Sequence, residues 1–212
     1  DLVRSRGLGD VYKRQEDERL KNLLRLIYDK KQIRFGTSGF RAFIDKDFTQ
    51  KRSDVISLAI CNDLKIFQKK EGRPVIITYD TRINAREFAL ESAKVFLAQG
   101  FPVKFAKEAS PTGALVYWLI EEEKCEAAGG ENMTPSHNPL PMQGQRWNLH
   151  NGDVAPTSVT DRIEREANLL NLREEKIDKE EIGKAEVEGR FFYIDMKDRY
   201  TSWVANFLKE QE

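Results

Sequence analysis

The run Val75-Ile76-Ile77-Thr78-Tyr79 narrows the possible folds more than any other stretch of the chain. Its positions are mostly apolar and β-branched with no wet side, which reads as a strand covered on both faces. Flanking segments supply the covers. Residues 53–69 carry Val55, Ile56, Leu58, Ala59, Ile60, Leu64, Ile66 and Phe67, a broad apolar helical face with Ser53 or Asp54 at hand as N-cap. Residues 85–99 repeat the pattern with Phe88, Ala89, Ala93, Val95, Phe96 and Leu97, and Gly100 is placed to end that helix. A strand over 101–106, a helix over 114–123 and a strand over 126–133 follow. This alternation predicts an α/β fold, a small mixed β-sheet sandwiched between helices.

The ends of the chain read differently. Residues 1–15 have two glycines, a basic excess and no sustained period, so they are expected to be a non-native or disordered tail. Residues 16–31 place Leu20, Leu23, Leu24, Ile27 and Tyr28 at helical spacing. A short strand at 33–35 then opens into Gly36-Thr37-Ser38-Gly39, with Arg41 beyond it and a second strand over 42–44. Past residue 145, Arg146-Trp147-Asn148-Leu149 reads as a strand and Ala155-Pro156-Thr157 as a linker. The expected division is therefore a first domain over 16–156 and an incomplete second α/β domain over 157–212. In the latter, 160–171 and 200–208 look helical, and the charged stretch 174–184 reads as a solvated face or loop.

Composition excludes several function classes. Lys+Arg and Asp+Glu are both 35, so no general field favours nucleic acid and any attraction for an anion must be local. No stretch has the length of a bilayer helix and no N-terminal segment has the layout of a secretory signal, so the expected setting is cytoplasmic. Cys61 and Cys125 lack metal-ligand spacing, and burial is their expected role.

Chemistry concentrates in Thr134-Pro135-Ser136-His137-Asn138-Pro139. A hydroxyl stands beside an imidazole and an amide, with prolines fixing the backbone on either side. Serine oxygen is a weak nucleophile without a base, a metal or a charge partner, so a plain turn in which Ser136 and Asn138 bond their own backbone is the competing reading. Gly36 to Gly39 could likewise be a simple turn or a cradle in which Thr37 and Ser38 meet an anion. Asp80 and Arg82, at the end of the apolar strand, could form a charge pair that caps a helix or contact a substrate directly.

The Thr-Pro-Ser-His-Asn-Pro loop resembles the phosphoserine loop of the α-D-phosphohexomutases, the phosphoglucomutase and phosphomannomutase family, whose pattern usually reads Thr-Ala-Ser-His-Asn-Pro. Three further matches keep the family order: Phe35-Gly36-Thr37-Ser38-Gly39-Phe40-Arg41, Tyr79-Asp80-Thr81-Arg82 and Gln143-Gly144-Gln145-Arg146. The resemblance covers roughly residues 16–212, as the first domain and the opening of the second of what is normally a four-domain enzyme.

The resemblance implies an isomerase of carbohydrate metabolism and a phosphoprotein, which interconverts hexose 1-phosphate and hexose 6-phosphate through a phosphoserine and a bisphosphate intermediate. Ser136 would carry the phosphoryl group and offer a phosphate oxygen to Mg²⁺, whose remaining ligands, a run of aspartates, are expected in a part of the second domain that this chain lacks. His137 and Arg41 would set charge and hydrogen bonding around the phosphate. Thr37, Ser38, Asn138 and Arg82 are candidates for phosphate or substrate contact, with Asn138 also shaping the loop. Arg146 falls where the family commonly has a lysine that assists proton transfer, and an arginine holds its proton too tightly for that work, so its expected role is electrostatic. Pro135 in place of alanine removes a backbone N–H beside the nucleophile. As a fragment, the chain is expected to be inactive alone. The alternative is a noncatalytic domain that binds a sugar phosphate or a partner chain. A serine hydrolase is disfavoured, because Ser136 lacks a glycine-framed elbow.

Overall fold

The computed structural model describes residues 32–36 and 39–210. The tail expected over 1–15, the helix expected over 16–31 and the candidates Thr37 and Ser38 lie outside the described residues. From Ile33 onward the chain forms one compact unit.

Six strands build one sheet: β1 Gly39–Phe43, β2 Val75–Tyr79, β3 Val103–Ala106, β4 Gly129–Met133, β5 Met142–Leu149 and β6 Phe191–Ile194, in the order β1-β5-β4-β2-β3-β6. β2 pairs in parallel with β3 and β4, and β3 in parallel with β6. β5 runs antiparallel to both β4 and β1, so the sheet is mixed. The helices are α1 Gln50–Asp63, α2 Ala85–Ala98, α3 Thr112–Tyr117, α4 Thr157–Leu172, α5 Ile182–Val187 and α6 Met196–Lys209.

β2 is buried along its whole length. Alternate side chains leave a strand on opposite faces, and the two faces of β2 enter two cores. Val75, Ile77 and Tyr79 pack with Val55 and Ile56 of α1 and with Val95 and Phe96 of α2, together with Phe105 and Trp147. Ile76 packs instead with Ala114, Leu115, Trp118, Leu119 and Met196, from α3, its continuation and α6. The doubly covered strand read from sequence is therefore the sheet's central spine.

Helix starts differ from expectation. Thr49 caps α1, its Oγ1 accepting the N–H of Arg52 at 3.4 Å, whereas Ser53 and Asp54 lie inside the helix and are buried. After Asp63 the helix widens through Leu64–Gln68 and stops at Lys69 in a left-handed conformation. α2 ends as expected, at Gly100 with φ +86°.

The segment after residue 156, expected to open a second domain, builds on the same unit. Pro156 starts α4 rather than a linker, and α4 packs Ile163 and Ala167 into the core shared with α1. Arg162 Nε donates to Asp63 Oδ1 at 2.6 Å across that contact. β6, to which the sequence pattern assigns no element, adds to β3 at the sheet edge. The charged stretch is anchored as well as solvated: Lys179 Nζ bridges Asp54 and Glu91, 2.7 Å from each, and Glu180 pairs with Arg190.

Candidate functional site

The parallel strands end on one side of the sheet, and three stretches meet there: the end of β2, the turn Asp80 to Asn84, and the loop between β4 and β5. Crevices beyond the carboxyl ends of parallel strands are where α/β sheets hold ligands. In the loop, Pro135 is buried while Ser136 and His137 are exposed. Ser136 has φ +63°, a left-handed conformation that a residue with a side chain adopts only when its surroundings impose it. One such constraint is local. The Ser136 N–H donates to Thr134 Oγ1 at 3.1 Å, a turn made by a hydroxyl two residues upstream. Ser136 Oγ lies 3.5 Å from His137 Nδ1.

A second constraint is the floor beneath the loop. A β-carbon on Gly144 of β5 would stand 2.5 Å from the Thr134 carbonyl oxygen and 2.8 Å from Pro135 Cα. The loop therefore lies directly on β5, and only a glycine permits it. Pro135 takes nothing from the loop's own bonding, which starts from the amides of Thr134, Ser136, Asn138 and Met142.

The third constraint is Arg82. Its Nη1 donates to the Pro139 carbonyl at 2.8 Å, and its Nη2 donates to the carbonyls of Ser136 and Asn138 at 3.2 and 2.5 Å. Its Nε sits 3.3 Å from Asp80 Oδ2. A group expected to contact phosphate thus spends its donors on the serine loop. Both readings of Asp80 and Arg82 are modified: they do form a charge pair, and the object they hold is the loop.

Arg41 and Arg146 share one face of the sheet. Arg41 is opposite Gly144 in the β1–β5 register, and Arg146 is opposite Gly39, so the two arginines flank the strand position on which the loop rests. Arg146 is half-buried, and its guanidinium holds its proton less tightly than usual, first through burial and then through the positive charge of Arg41. Arg41 Nε is buried without a hydrogen-bond partner. Two cations turned to one face suit an anion there. Asn138 is half-buried, with Nδ2 3.4 Å from Met142 Sδ, which favours its loop-shaping role.

Behind the loop, the polar residues of β4 point to opposite faces. Asn132 donates from Nδ2 to Thr112 Oγ1 at 2.9 Å, at the start of α3. Glu131 points into the α1–α2 layer, fully buried, and accepts from Gln145 Nε2 at 2.8 Å. Gln145 also donates to Ser57 and accepts from Ser53, and Ser57 Oγ lies 2.7 Å from Ser92 Oγ. Burial raises the Glu131 carboxyl to about 7, opposed by hydrogen bonds from Gln145 and Ser92. Glu131 and Asn132 thus each find a partner inside the protein, while Asn132 Oδ1 is buried without one.

The sequence reading missed Thr134 and Gly144 as loop supports. Thr134 carried a usable signal, a hydroxyl two residues before a residue needing a turn. Gly144 had no local signal, since its contact partner crosses from another element.

Among the described residues no group of three or more His, Cys, Asp or Glu side chains could hold a metal ion. A magnesium ion favours an octahedral oxygen shell with one or two carboxylates. The donor set around Ser136 is cationic and amide-like, so the described residues there do not form such a shell.

The profile for "Phosphoglucomutase/phosphomannomutase, alpha/beta/alpha domain I" matches residues 32–173. A phosphoglucomutase of Komagataeibacter xylinus is 29% identical over 145 residues, covering 65% of this chain and 25% of the relative. A phosphoglucosamine mutase of Carboxydothermus hydrogenoformans is 30% identical over 131 residues, covering 62% and 28%. Among solved structures, one described as a phosphomannomutase from Thermus thermophilus superposes with a TM-score of 0.64 at 26% identity, over 79% of this chain and 34% of that one. The open form of parafusin, a Paramecium phosphoglucomutase, gives 0.65 at 17% identity over 84% and 35%, a likeness of fold. The chain thus spans about a quarter of the length of these curated relatives and about a third of these solved structures. With more than half of its residues matched by the domain I profile, the chain belongs to the phosphoglucomutase/phosphomannomutase family.

Proposed function

We propose that the chain carries the phosphoserine domain of a sugar-phosphate mutase, an isomerase acting on hexose phosphates, with Ser136 as the phosphoryl carrier. The observation that supports this reading most is the conformation of Ser136: exposed, left-handed, and fixed from three sides in a loop that leaves its Oγ beside His137. Lys69 and five other described non-glycine residues also have positive φ, so the conformation counts here together with the exposure of Ser136 and its fixing on three sides.

In the proposed reaction the Oγ–phosphorus bond of phosphorylated Ser136 breaks as a sugar hydroxyl oxygen bonds to phosphorus. The hydroxyl proton passes to a base that this chain does not identify. The bisphosphate formed then returns its other phosphoryl group to Ser136. Arg41 and Arg146 neutralise charge on the phosphoryl oxygens, and their fixed positions mean little reorganisation as that charge redistributes. Arg146 serves as a charge, since even with its lowered proton affinity a guanidinium stays protonated. Mg²⁺ would add charge neutralisation at the same phosphate when bound, and its carboxylate ligands would come from outside this chain.

No helix among the described residues is long and apolar enough to cross a membrane, and the charge balance gives nucleic acid no attractive field. We place the protein in the cytoplasm with a sugar phosphate as its small-molecule partner. The test is intact mass and peptide mapping of the chain, as expressed in cells and after long incubation with a hexose bisphosphate. One phosphorylation event over hours demands far less rate than turnover. Phosphate on Ser136 is the expected result; its absence, with retained binding of sugar phosphate, favours the noncatalytic binding domain.

A further inference from the structure

We propose that Arg82, seated on Asp80, is the positioning residue that clasps the Ser136 loop in its working shape and is not itself a phosphate ligand; the functional value of that shape rests on the reading of Ser136 as phosphoryl carrier. A guanidinium has five N–H donors in a rigid fork. Arg82 directs Nε at Asp80 and its two terminal nitrogens at the carbonyls of Ser136, Asn138 and Pro139. Three hydrogen bonds thus go to the loop and Nε faces the Asp80 carboxylate as an ion pair, which leaves little of the fork for a ligand. Asp80 holds the other end of the assembly. Its Oδ1 accepts the Arg82 backbone N–H at 3.0 Å while Oδ2 faces Nε, so both the backbone and the head of Arg82 are set by one carboxylate.

The clasp acts where the loop most needs it. Fixing the Ser136 carbonyl sets the peptide plane after the left-handed residue, and with it the direction of the Cα–Cβ bond that carries Oγ. Thr134 fixes the plane before it. Pro135, Pro139 and Pro141 stiffen the loop but supply no N–H, so the Ser136 and Asn138 carbonyls take their donor from Arg82, while that of Pro139 accepts the Met142 N–H as well. The Arg82 side chain is only 13% exposed, which limits its own freedom, and its bond to the Asn138 carbonyl is partly buried while those to Ser136 and Pro139 lie at the surface. A lysine offers one point charge on a flexible stem and cannot serve three carbonyls in a plane.

The test is amide hydrogen exchange on the phosphate-free chain in buffer without phosphate or sulfate, for the wild type and for Arg82→Lys, Arg82→Met and Asp80→Asn. The amides of Ser136, Asn138 and Met142, each with an acceptor inside the loop, should exchange at least about tenfold faster in all three variants. Those of β2 and α1 should be unchanged, which separates a local clasp from a general loss of stability. Unchanged loop exchange in Arg82→Met overturns the proposal, and so does an increase spread evenly through the core. If Arg82→Met does not fold, Arg82→Lys and Asp80→Asn decide by the same criterion. An Arg82 that merely bound phosphate would leave loop exchange at its wild-type rate when no anion is present. Phosphate uptake by Ser136 is measured separately on the same samples: a wild type that takes none defeats the mutase reading and leaves the clasp standing on exchange alone.

Discussion

The carbonyl oxygen of Thr134 lies 2.5 Å from where a β-carbon on Gly144 would stand, so the strand leaving the serine loop passes beneath the strand end entering it at backbone contact. Neither partner can yield cheaply, because the nearest neighbours of that position are backbone atoms and the Pro135 ring is buried. Gly144→Ala should therefore destabilise the fold by about 1–3 kcal/mol, the usual range for overpacking. It should also lower phosphate occupancy at Ser136 more than its loss of stability accounts for. Urea denaturation alongside phosphopeptide quantitation checks both, and a Gly144→Ala chain within about 0.5 kcal/mol of wild type, the scatter of ordinary surface substitutions, would show that the loop can lift away freely.

Glu131 makes the stability depend on pH in a stated direction. Burial raises its carboxyl from 4.5 to about 7 in the folded chain. Between those values the folded chain holds a proton that the unfolded chain has released, so stability falls as pH rises through the interval and stays at the lower level above it. A difference of that size corresponds to roughly 3 kcal/mol. Glu131→Gln has no charge to bury, and its carbonyl can still accept from Gln145. The variant should gain stability over wild type at about pH 8 and show little difference at about pH 4.5, on either side of that interval. Urea melts at the two pH values check this; a variant equally destabilised at both would mean that the network needs the acid itself.

Much of this architecture is written in local pattern, and the exceptions have physical reasons. The unbroken apolar run of β2 and the periodic faces of α1 and α2 each announce their element, because burial on two faces or on one stripe dictates the residues along it. β6 escapes notice since its four residues, Phe191 to Ile194, need only a neighbouring strand edge to become a strand. The start of α1 slid to Thr49 because Ser53 and Asp54, good caps by type, are drawn inward, Ser53 to Gln145 and Asp54 to Lys179. Ser136, Arg41 and Arg146 are singled out by motif order, and the register sets both arginines on one face, flanking the strand position under the Ser136 loop. The task of Arg82 was not legible, since its partners lie 54 to 57 residues away.

The Arg41–Arg146 pair should make the folded chain respond to inorganic phosphate. Arg41 and Arg146 share one face, Arg146 holding its proton less tightly through burial and then through the charge of Arg41, and Arg41 having a buried nitrogen without a partner, so an anion there relieves repulsion and gives Arg41 an acceptor. At a phosphate concentration about tenfold above its dissociation constant, the stabilisation should be about 1.4 kcal/mol. It should weaken as sodium chloride is added. Arg41→Met should abolish the response. Thermal melts against phosphate, with sulfate and chloride as comparisons, provide the measurement; an undiminished response in Arg41→Met would place the anion elsewhere.

The purified chain should not turn over sugar phosphates at a useful rate, even with Ser136 correctly set. Its described residues offer no carboxylate cluster for a metal, and Asp161, Asp178, Asp195 and Asp198 are scattered along the sequence after Thr157 rather than grouped. A phosphoserine oxygen alone leaves most of a magnesium shell unfilled, and the transferred phosphoryl group would lose a main stabiliser of its charge. The chain also spans about a third of the solved structures it matches, and the proposed reading assigns water exclusion and hexose orientation to the remainder of such a mutase. Lost positioning can be worth on the order of 7 kcal/mol or more. Either deficit alone would slow turnover severely, and together they leave a loop that can hold a phosphoryl group without passing it efficiently to a sugar. A coupled assay with glucose 1-phosphate or mannose 1-phosphate, a hexose bisphosphate activator and Mg²⁺ should stay at background. Robust turnover that disappears in Ser136→Ala would instead mean that Arg41, Arg146 and the clasped loop suffice to bind and orient the sugar unaided.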